Sequence, residues 1–117
     1  MEQIRVVNYG GSNLRSVVKA LETVATKKQN VAVTDNQRDI RDADRIVFPG
    51  QGAIGDCVDA LRNHDLLEVI KEAADTKPFL GICLGLQSLL TFSDEDGGTE
   101  CLDLVAGQVR RFPVSPP

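Results

Sequence analysis

Short apolar runs alternate with amphipathic stretches along most of this chain, and the alternation restricts its possible folds more than any other feature. Three of the runs end at glycine-containing turns: Ile4–Val7, Arg45–Phe48 and Pro78–Ile82. Between them, apolar residues recur at helical spacing, as in the series that begins at Leu14 and Val17. Strands and helices in this order are typical of βαβ units, so the sequence predicts an α/β fold with a mostly parallel sheet.

The same patterns predict where the individual elements lie. Strands are expected at 4–7, 31–34, 45–48, 78–82 and 108–112. Helices are expected at 14–25 with Ser12 or Asn13 as the N-cap, within 35–44, at 56–75 with a break near Asn63 and His64, and at 84–90. The acidic, glycine-containing stretch 93–99 is expected to be a loop.

Length and composition exclude several classes of protein. A chain of 117 residues is expected to form one domain, 1–117, and an apolar fraction of 42% predicts a folded core. The net charge of −4 argues against nucleic acid and anionic membranes as partners, and no apolar run approaches the roughly 20 residues of a membrane span. Three cysteines and one histidine do not have the spacing of disulfide frameworks or zinc sites. We therefore expect a cytoplasmic protein with no metal and no cofactor.

Three turns follow predicted strands and are expected to lie at one edge of the sheet. They span 8–13, 49–55 and 81–85. Ligands of open parallel sheets bind at the carboxyl ends of the strands, so the convergence of these turns predicts a functional site there. The first turn has neither the G-x-G-x-x-G spacing nor a Gly-Lys-Ser/Thr sequence, which argues against nucleotide binding.

The third turn has the form G-x-C-x-G, from Gly81 to Gly85, between a strand and a helix. This is the thiol version of the tight turn that presents a nucleophile. It places Cys83 at the positive end of a helix dipole, which favours the thiolate. A small cysteine packed into an ordinary strand-to-helix junction would give the same pattern, and the pattern alone leaves both interpretations open.

The second turn, from Pro49 to Gly52, is a candidate oxyanion loop, because its glycines allow backbone N–H groups to face a developing anion. An ordinary βα turn has the same composition. Structural roles are expected for the remaining candidates. His64 is expected at a solvated helix end, Cys57 in packing and Cys101 beside a loop, and the acidic run 94–96 is expected to be solvated.

Several segments together resemble the glutamine amidotransferase subunits of imidazole glycerol phosphate synthase, within the class I glutamine amidotransferases. Residues 8–17 (NYGGSNLRSV) are similar to the family's D-Y-G-x-G-N-L-R-S-V opening, and 49–56 (PGQGAIGD) to its P-G-V-G-A-F-G-D segment. Residues 77–87 (KPFLGICLGLQ) resemble its nucleophile segment, and 107–113 fits the strand that follows. The resemblance implies a doubly wound, flavodoxin-like sheet that is truncated at its C-terminal side.

The resemblance also implies an activity. The family hydrolyses glutamine to glutamate and ammonia, and a cyclase subunit with a (β/α)8 barrel uses the ammonia in histidine biosynthesis. By position, Cys83 would attack the glutamine carboxamide and form a thioester. Backbone amides of Leu84 and of the turn residues Gly50, Gln51 and Gly52 would stabilise the oxyanion.

Further positions match family residues that bind the substrate or the partner. The substrate-binding positions are Gly52, Gln87 and Glu95. A carboxylate such as that of Glu95 suits the ammonium group of a free amino acid. The positions expected at the interface with the cyclase are Asn8, Gly10 and Asn13.

The sequence also departs from the family pattern. Asn8 stands where the family usually has Asp, and Gln51 replaces a usually apolar residue of the oxyanion loop. The catalytic His and Glu of the family follow the part that this chain matches, and His64 does not align with that His. We therefore expect a chain that is inactive alone and self-associates through an uncovered strand edge. Two alternative interpretations are also considered. The chain could be a non-catalytic module that binds glutamine or the cyclase, or a different α/β protein with a cysteine at the same tight turn, related to chaperones or proteases.

Overall fold

A four-stranded parallel sheet forms the centre of the computed structural model, which describes residues 1–10 and 14–113. Its strands are β1 (Glu2–Val7), β2 (Gln29–Thr34), β3 (Arg45–Gly50) and β4 (Phe79–Cys83). They pair in parallel in the order β2-β1-β3-β4, which is typical of flavodoxin-like sheets. The predicted parallel α/β fold is confirmed.

Helices cover both faces of this sheet. They are α1 (Arg15–Val24), α2 (Gln37–Asp42), α3 (Ile54–Asn63), α4 (Leu67–Thr76) and α5 (Leu84–Gln87). Because side chains alternate along a strand, Val6 and Val47 pack with α1, while Val7 and Phe48 belong to the core that includes α2, α3 and α4. No helix in the described ranges is long and apolar enough to cross a membrane.

The predicted break near Asn63 and His64 separates α3 from α4. Helix α3 ends at Asn63. Asp65 then has a φ of 56°, a conformation that does not occur within a right-handed helix. The backbone N–H of Leu66 donates to the carbonyl of Leu61 at 2.8 Å and closes the turn. Both leucines are fully buried in the same core, so α3 and α4 pack against one core on either side of the break.

Helix α5 is shorter than predicted, ending at Gln87 instead of residue 90. The N–H groups of Leu89 and Leu90 donate three residues back, to Leu86 and Gln87, so the chain tightens into turns. The carbonyl of Leu89 accepts hydrogen bonds from the N–H groups of residues 104 and 105. These distant backbone partners stop the helix, and the local apolar pattern does not reveal them.

A small second sheet occupies the end of the described chain. Its strands are β5 (Phe92–Ser93), β6 (Thr99–Glu100) and β7 (Gln108–Val109), in the order β6-β5-β7. A 3₁₀ turn at Glu95–Gly97 lies in the predicted loop. The final strand is present but ends at Val109, because the N–H of Arg111 donates to the Asp94 carboxylate instead of a strand partner. Neither β5 nor β6 was predicted.

Apolar surface around α1 and β4 is uncovered by the residues that the structure describes. β4 is an edge strand on which Leu80 is 53% exposed, and Val24 at the end of α1 is 76% exposed. An almost wholly apolar groove of about 470 Å³ lies between α1 and Ile82 of β4. The described part of the chain therefore has the uncovered strand edge that was expected.

Candidate active site

Cys83 lies on a sharp turn between the last strand of the parallel sheet and α5. Its φ of 55° and ψ of −119° form a left-handed conformation. Such a conformation costs a non-glycine residue on the order of 1–3 kcal/mol. The side chain is exposed, which does not fit a buried packing role. Strained backbone and an exposed thiol are the features of a nucleophile elbow.

Close packing at the elbow requires its two glycines. A Cβ atom on Gly85 would overlap the carbonyl oxygen of Phe48, and one on Gly81 would lie 2.9 Å from the Cα of Leu86. The buried hydroxyl of Ser88 donates to the carbonyl of Gly85 at 2.8 Å and holds the first turn of α5. The G-x-C-x-G spacing therefore follows from the close contact of α5 with β3 at Gly85 and with β4 at Gly81.

The predicted oxyanion turn begins directly beside the elbow. Gly50, the last residue of β3, is paired in register with Cys83. The buried hydroxyl of Tyr9 donates to the carbonyl of Pro49 at 2.8 Å, which fixes the plane of the Pro49–Gly50 peptide. Burial raises the pKa of the Tyr9 hydroxyl well above its ordinary value, so this group stays a donor.

The other oxyanion candidates differ in exposure. Gln51 and Gly52 are exposed, and Gly52 has a φ of 95°. Leu84 is buried as the first residue of α5, where backbone N–H groups have no acceptor within the helix. A Cβ atom on Gly50 would lie 3.0 Å from the backbone nitrogen of Gly85 and from the Cβ of Leu84, so Gly50 lies against the start of α5, next to Cys83.

Gln87 and Glu95, the predicted substrate-binding side chains, line one open pocket of about 440 Å³. Its other lining residues are Ser93, Asp94, Val109, Arg110 and Arg111. Small-ligand sites typically have volumes of about 300–1,000 Å³, so a free amino acid fits this pocket. Cys83 and the turn 50–52 lie outside the lining. Helix α5 joins the two groups, because it starts at the elbow and ends at Gln87.

The pocket contains two arginines that the sequence did not single out as candidates. Arg110 and Arg111 reach it because β7 pairs with β5, with Val109 beside Ser93. The apolar pattern at 108–112 predicts a strand but not its neighbour. Two-residue strands have no periodicity that could identify the partner.

The turn after β1 holds the residues expected at a partner interface. Asn8 is half-buried, and its side-chain oxygen accepts a hydrogen bond from the N–H of Gly10 at 3.1 Å. Ser12 and Asn13 lie outside the described residues; either was expected as the N-cap of α1, but the N-cap is Leu14, which makes no side-chain capping hydrogen bond. His64 is exposed, as predicted, with its Nδ1 2.8 Å from the carbonyl oxygen of Ala60. Its ring lies beside Gly10, a proximity that the sequence did not indicate.

The other two thiols differ from Cys83 in burial. Cys57 is buried in α3, as predicted for a packing residue, and Cys101 is half-buried. Burial raises the pKa of both thiols above their ordinary value. Within residues 1–10 and 14–113, no group of three or more His, Cys, Asp or Glu side chains could hold a metal ion.

A family model for the class I glutamine amidotransferases matches residues 5–97. The match spans the turns after β1 and β3, the cysteine elbow and Glu95. The chain belongs to the class I glutamine amidotransferase family. The match therefore agrees with the family that the sequence resembles, and it includes both the cysteine elbow and the glycine turn beside it.

Curated relatives of this amidotransferase chain are named imidazole glycerol phosphate synthase subunit HisH. The protein from Nitrosococcus oceani is 53% identical over 112 residues, 96% of this chain and 53% of that protein. The protein from Hydrogenovibrio crunogenus is 46% identical over the same shares. One from Nitrosospira multiformis is 50% identical over 98% of this chain and 53% of its own length. The chain spans about half the length of these relatives.

Solved structures agree on the fold. A protein assigned to peptidase E from Listeria monocytogenes superposes with a TM-score of 0.64 at 16% identity, over 89% of this chain and 63% of that one. A protein from Thermoplasma acidophilum, assigned to GMP synthase, gives a TM-score of 0.53 at 24% identity, over 74% and 42%. At these identities the likeness describes the arrangement of strands and helices alone.

Proposed function

We propose that residues 1–117 form the amino-terminal part of a glutamine amidotransferase domain whose nucleophile is Cys83. The observation that carries the proposal is the strained, exposed thiol paired in register with Gly50. The thiolate attacks the carboxamide carbon of glutamine, and a C–S bond forms as the carbonyl becomes an oxyanion. The nitrogen then takes up a proton, the oxyanion returns to a carbonyl as the C–N bond breaks and ammonia leaves, and water hydrolyses the thioester to glutamate and the free thiol.

Backbone N–H groups stabilise the oxyanion in this proposal. Leu84 offers the backbone N–H at the start of α5, and the turn Gly50, Gln51 and Gly52 offers the second donor. The bond from Tyr9 to Pro49 supports this role, because it holds the peptide that precedes the turn. Gln51 is exposed, so its polar side chain can be tolerated where relatives in the family usually have an apolar one.

Glutamine binds, in this proposal, between the elbow and the pocket beside α5. Gln87 recognises the carboxamide end, Glu95 the ammonium group, and Gly52 leaves space for the substrate. The pocket supports this assignment because Gln87 and Glu95 line it together. Gln87 is also the last residue of α5, whose N-cap is Cys83, so a short helix connects the binding groups to the thiol.

Turnover needs groups that this polypeptide does not supply. Ammonia must be protonated as it leaves, and a water molecule must be activated to hydrolyse the thioester. The family's His and Glu are expected in the half of the relatives that this chain does not match. The single histidine, His64, has its Nδ1 directed at the carbonyl of Ala60. Loss of general acid–base help typically costs about 10²–10⁴-fold in rate, so the 117-residue polypeptide alone turns over negligible glutamine.

The ammonia is used by a cyclase (β/α)8-barrel subunit, which forms imidazole glycerol phosphate in histidine biosynthesis in the cytoplasm. The names of the relatives support this proposal. The cyclase docks on the turn after β1, at Asn8, Gly10 and Asn13. This turn lies at the carboxyl edge of the sheet, the same edge as the elbow.

A chimera tests the proposed function directly. Residues 1–112 of this chain are joined to the remaining half of the Nitrosococcus oceani relative, and glutamate release is measured with and without a cyclase subunit. The chimera should release glutamate, and its Cys83→Ala variant should not. A folded chimera that releases no glutamate, or releases it without Cys83, would contradict the proposal. Retention of the cyclase by the 117-residue chain in a pull-down, without turnover, supports the binding role of this part.

A further inference from the structure

The pocket beside α5 contains four charged side chains, two acidic and two basic. Three polar groups would be needed to recognise free glutamine completely: one for the carboxamide, one for the ammonium and one for the carboxylate. The proposed function assigns the first two to Gln87 and Glu95. It leaves the carboxylate without a partner.

Two of the four charges are engaged by the pocket wall itself. Both carboxylate oxygens of Asp94 accept the backbone N–H of Arg111, at 2.9 and 3.2 Å. The guanidinium of Arg110 donates from Nε and Nη2 to the side-chain oxygen of Gln108, at 3.1 and 3.0 Å. Asp94 and Arg110 therefore help to build the wall that β7 contributes.

The other two charges are available to a ligand. The carboxylate of Glu95 and the guanidinium of Arg111 have no hydrogen bond or ion pair with the residues that the structure describes. Their opposite charges line the same pocket. The Asp94 bond to the Arg111 backbone keeps the base of this side chain at the pocket wall.

We propose that Arg111 binds the α-carboxylate of the substrate and so makes this pocket selective for free L-glutamine. This inference rests on the proposed function. Guanidinium groups pair with carboxylates through two parallel N–H bonds, a geometry that fixes orientation as well as charge. Glutamine within a peptide has neither free charge, so it loses the contacts to both Glu95 and Arg111. Arg111 is a specificity-determining residue in this account, separate from the reacting thiol.

Binding of three ligands to the 117-residue chain tests the assignment. L-Glutamine carries both charges, L-glutaminamide lacks the carboxylate, and 4-carbamoylbutanoate lacks the ammonium. Affinities are measured by NMR titration of the ¹⁵N-labelled chain. Arg111→Gln should lower the affinity for L-glutamine and for 4-carbamoylbutanoate about tenfold, as expected for the loss of a charged hydrogen bond. It should change the affinity for L-glutaminamide less than about twofold. Arg111→Lys should recover part of the loss, because it keeps the charge without the fork.

Arg110→Gln is the matched comparison, because it removes the same charge one residue away. Each variant keeps the backbone N–H that Asp94 accepts at position 111. The inference is overturned if both variants lower the affinity for all three ligands equally. It is also overturned if Arg110→Gln, instead of Arg111→Gln, lowers the affinity only for the two ligands that carry the carboxylate. In those cases wild-type binding of L-glutamine still supports the proposed function. A wild-type chain that binds none of the three ligands overturns both.

Discussion

Gly85→Ala tests the packing that produces the elbow. A Cβ atom at this position would overlap the backbone carbonyl oxygen of Phe48 and lie 3.2 Å from its ring. Neither obstacle is the end of a flexible side chain, so α5 or the end of β3 must shift. Overpacking of this kind typically costs about 1–3 kcal/mol, and because the obstacle is main chain we expect a cost of about 3 kcal/mol for this substitution.

The change is measured as the free energy of unfolding in urea and as the melting temperature, both followed by far-UV circular dichroism. For a chain of 117 residues, an unfolding entropy of about 2.1 cal/mol/K per residue converts each 1 kcal/mol into about 4 °C. Gly85→Ala should therefore lower the melting temperature by about 12 °C. The displaced elbow should also slow alkylation of Cys83.

Gly55→Ala is the matched control, because it makes the same chemical change on α3. There the added Cβ would lie 3.7 Å from the Thr99 hydroxyl oxygen, an ordinary contact. Alanine is favoured over glycine in helices by up to about 1 kcal/mol, so this variant should be as stable as wild type or slightly more stable. Equal stability of the two alanine variants would refute the close approach of α5 to β3.

Three further predictions concern the thiols, the uncovered surface and the buried tyrosine. Iodoacetamide at neutral pH should label Cys83 first, because its thiol is exposed and because burial raises the pKa of the Cys57 and Cys101 thiols and so lowers their thiolate fraction. Peptide mass mapping that finds Cys57 or Cys101 labelled first would contradict this. Light scattering after size exclusion should give a mass well above 12.7 kDa, because the β4 edge and the groove beside α1 are apolar and exposed; a monomer at tens of micromolar would show that this surface needs no cover. Tyr9→Phe should lower the free energy of unfolding by about 1–3 kcal/mol, because it leaves the buried carbonyl of Pro49 without the Tyr9 hydroxyl as its donor. Unchanged stability in urea would mean that this hydrogen bond does not hold the turn that begins at Pro49.

Local patterns were sufficient to predict the parallel sheet and the position of the tight turn at Cys83, although the pattern alone left the role of the thiol open. Strands such as β1 and β3 are apolar on both sides, since helices pack on each face, and their β-branched runs are visible in the sequence. The turn at Cys83 is recognisable in the sequence because the residues that its geometry requires, Gly81, Cys83 and Gly85, all lie within one five-residue segment. The break at Asn63 follows from a polar interruption between two apolar series.

Interactions between distant segments determined the features that the sequence did not predict. Helix α5 stops early because the carbonyl of Leu89 accepts N–H groups fifteen and sixteen residues further along, at 104 and 105. Arg111 reaches the pocket because β7 pairs with β5 and the carboxylate of Asp94 holds its backbone. His64 lies beside Gly10 although more than fifty residues separate them. No periodic pattern records such contacts, so they need the folded chain.

Reaction with a chloroketone analogue of L-glutamine tests whether the Cys83 thiol lies next to the carboxamide of a bound glutamine. The thiolate displaces chloride and forms a C–S bond, a step that needs no general acid or base. A single adduct is expected at Cys83, formed at a rate that saturates with the analogue and falls when L-glutamine, but not D-glutamine, is added. An adduct on Cys57 or Cys101, or a rate unaffected by L-glutamine, would contradict it.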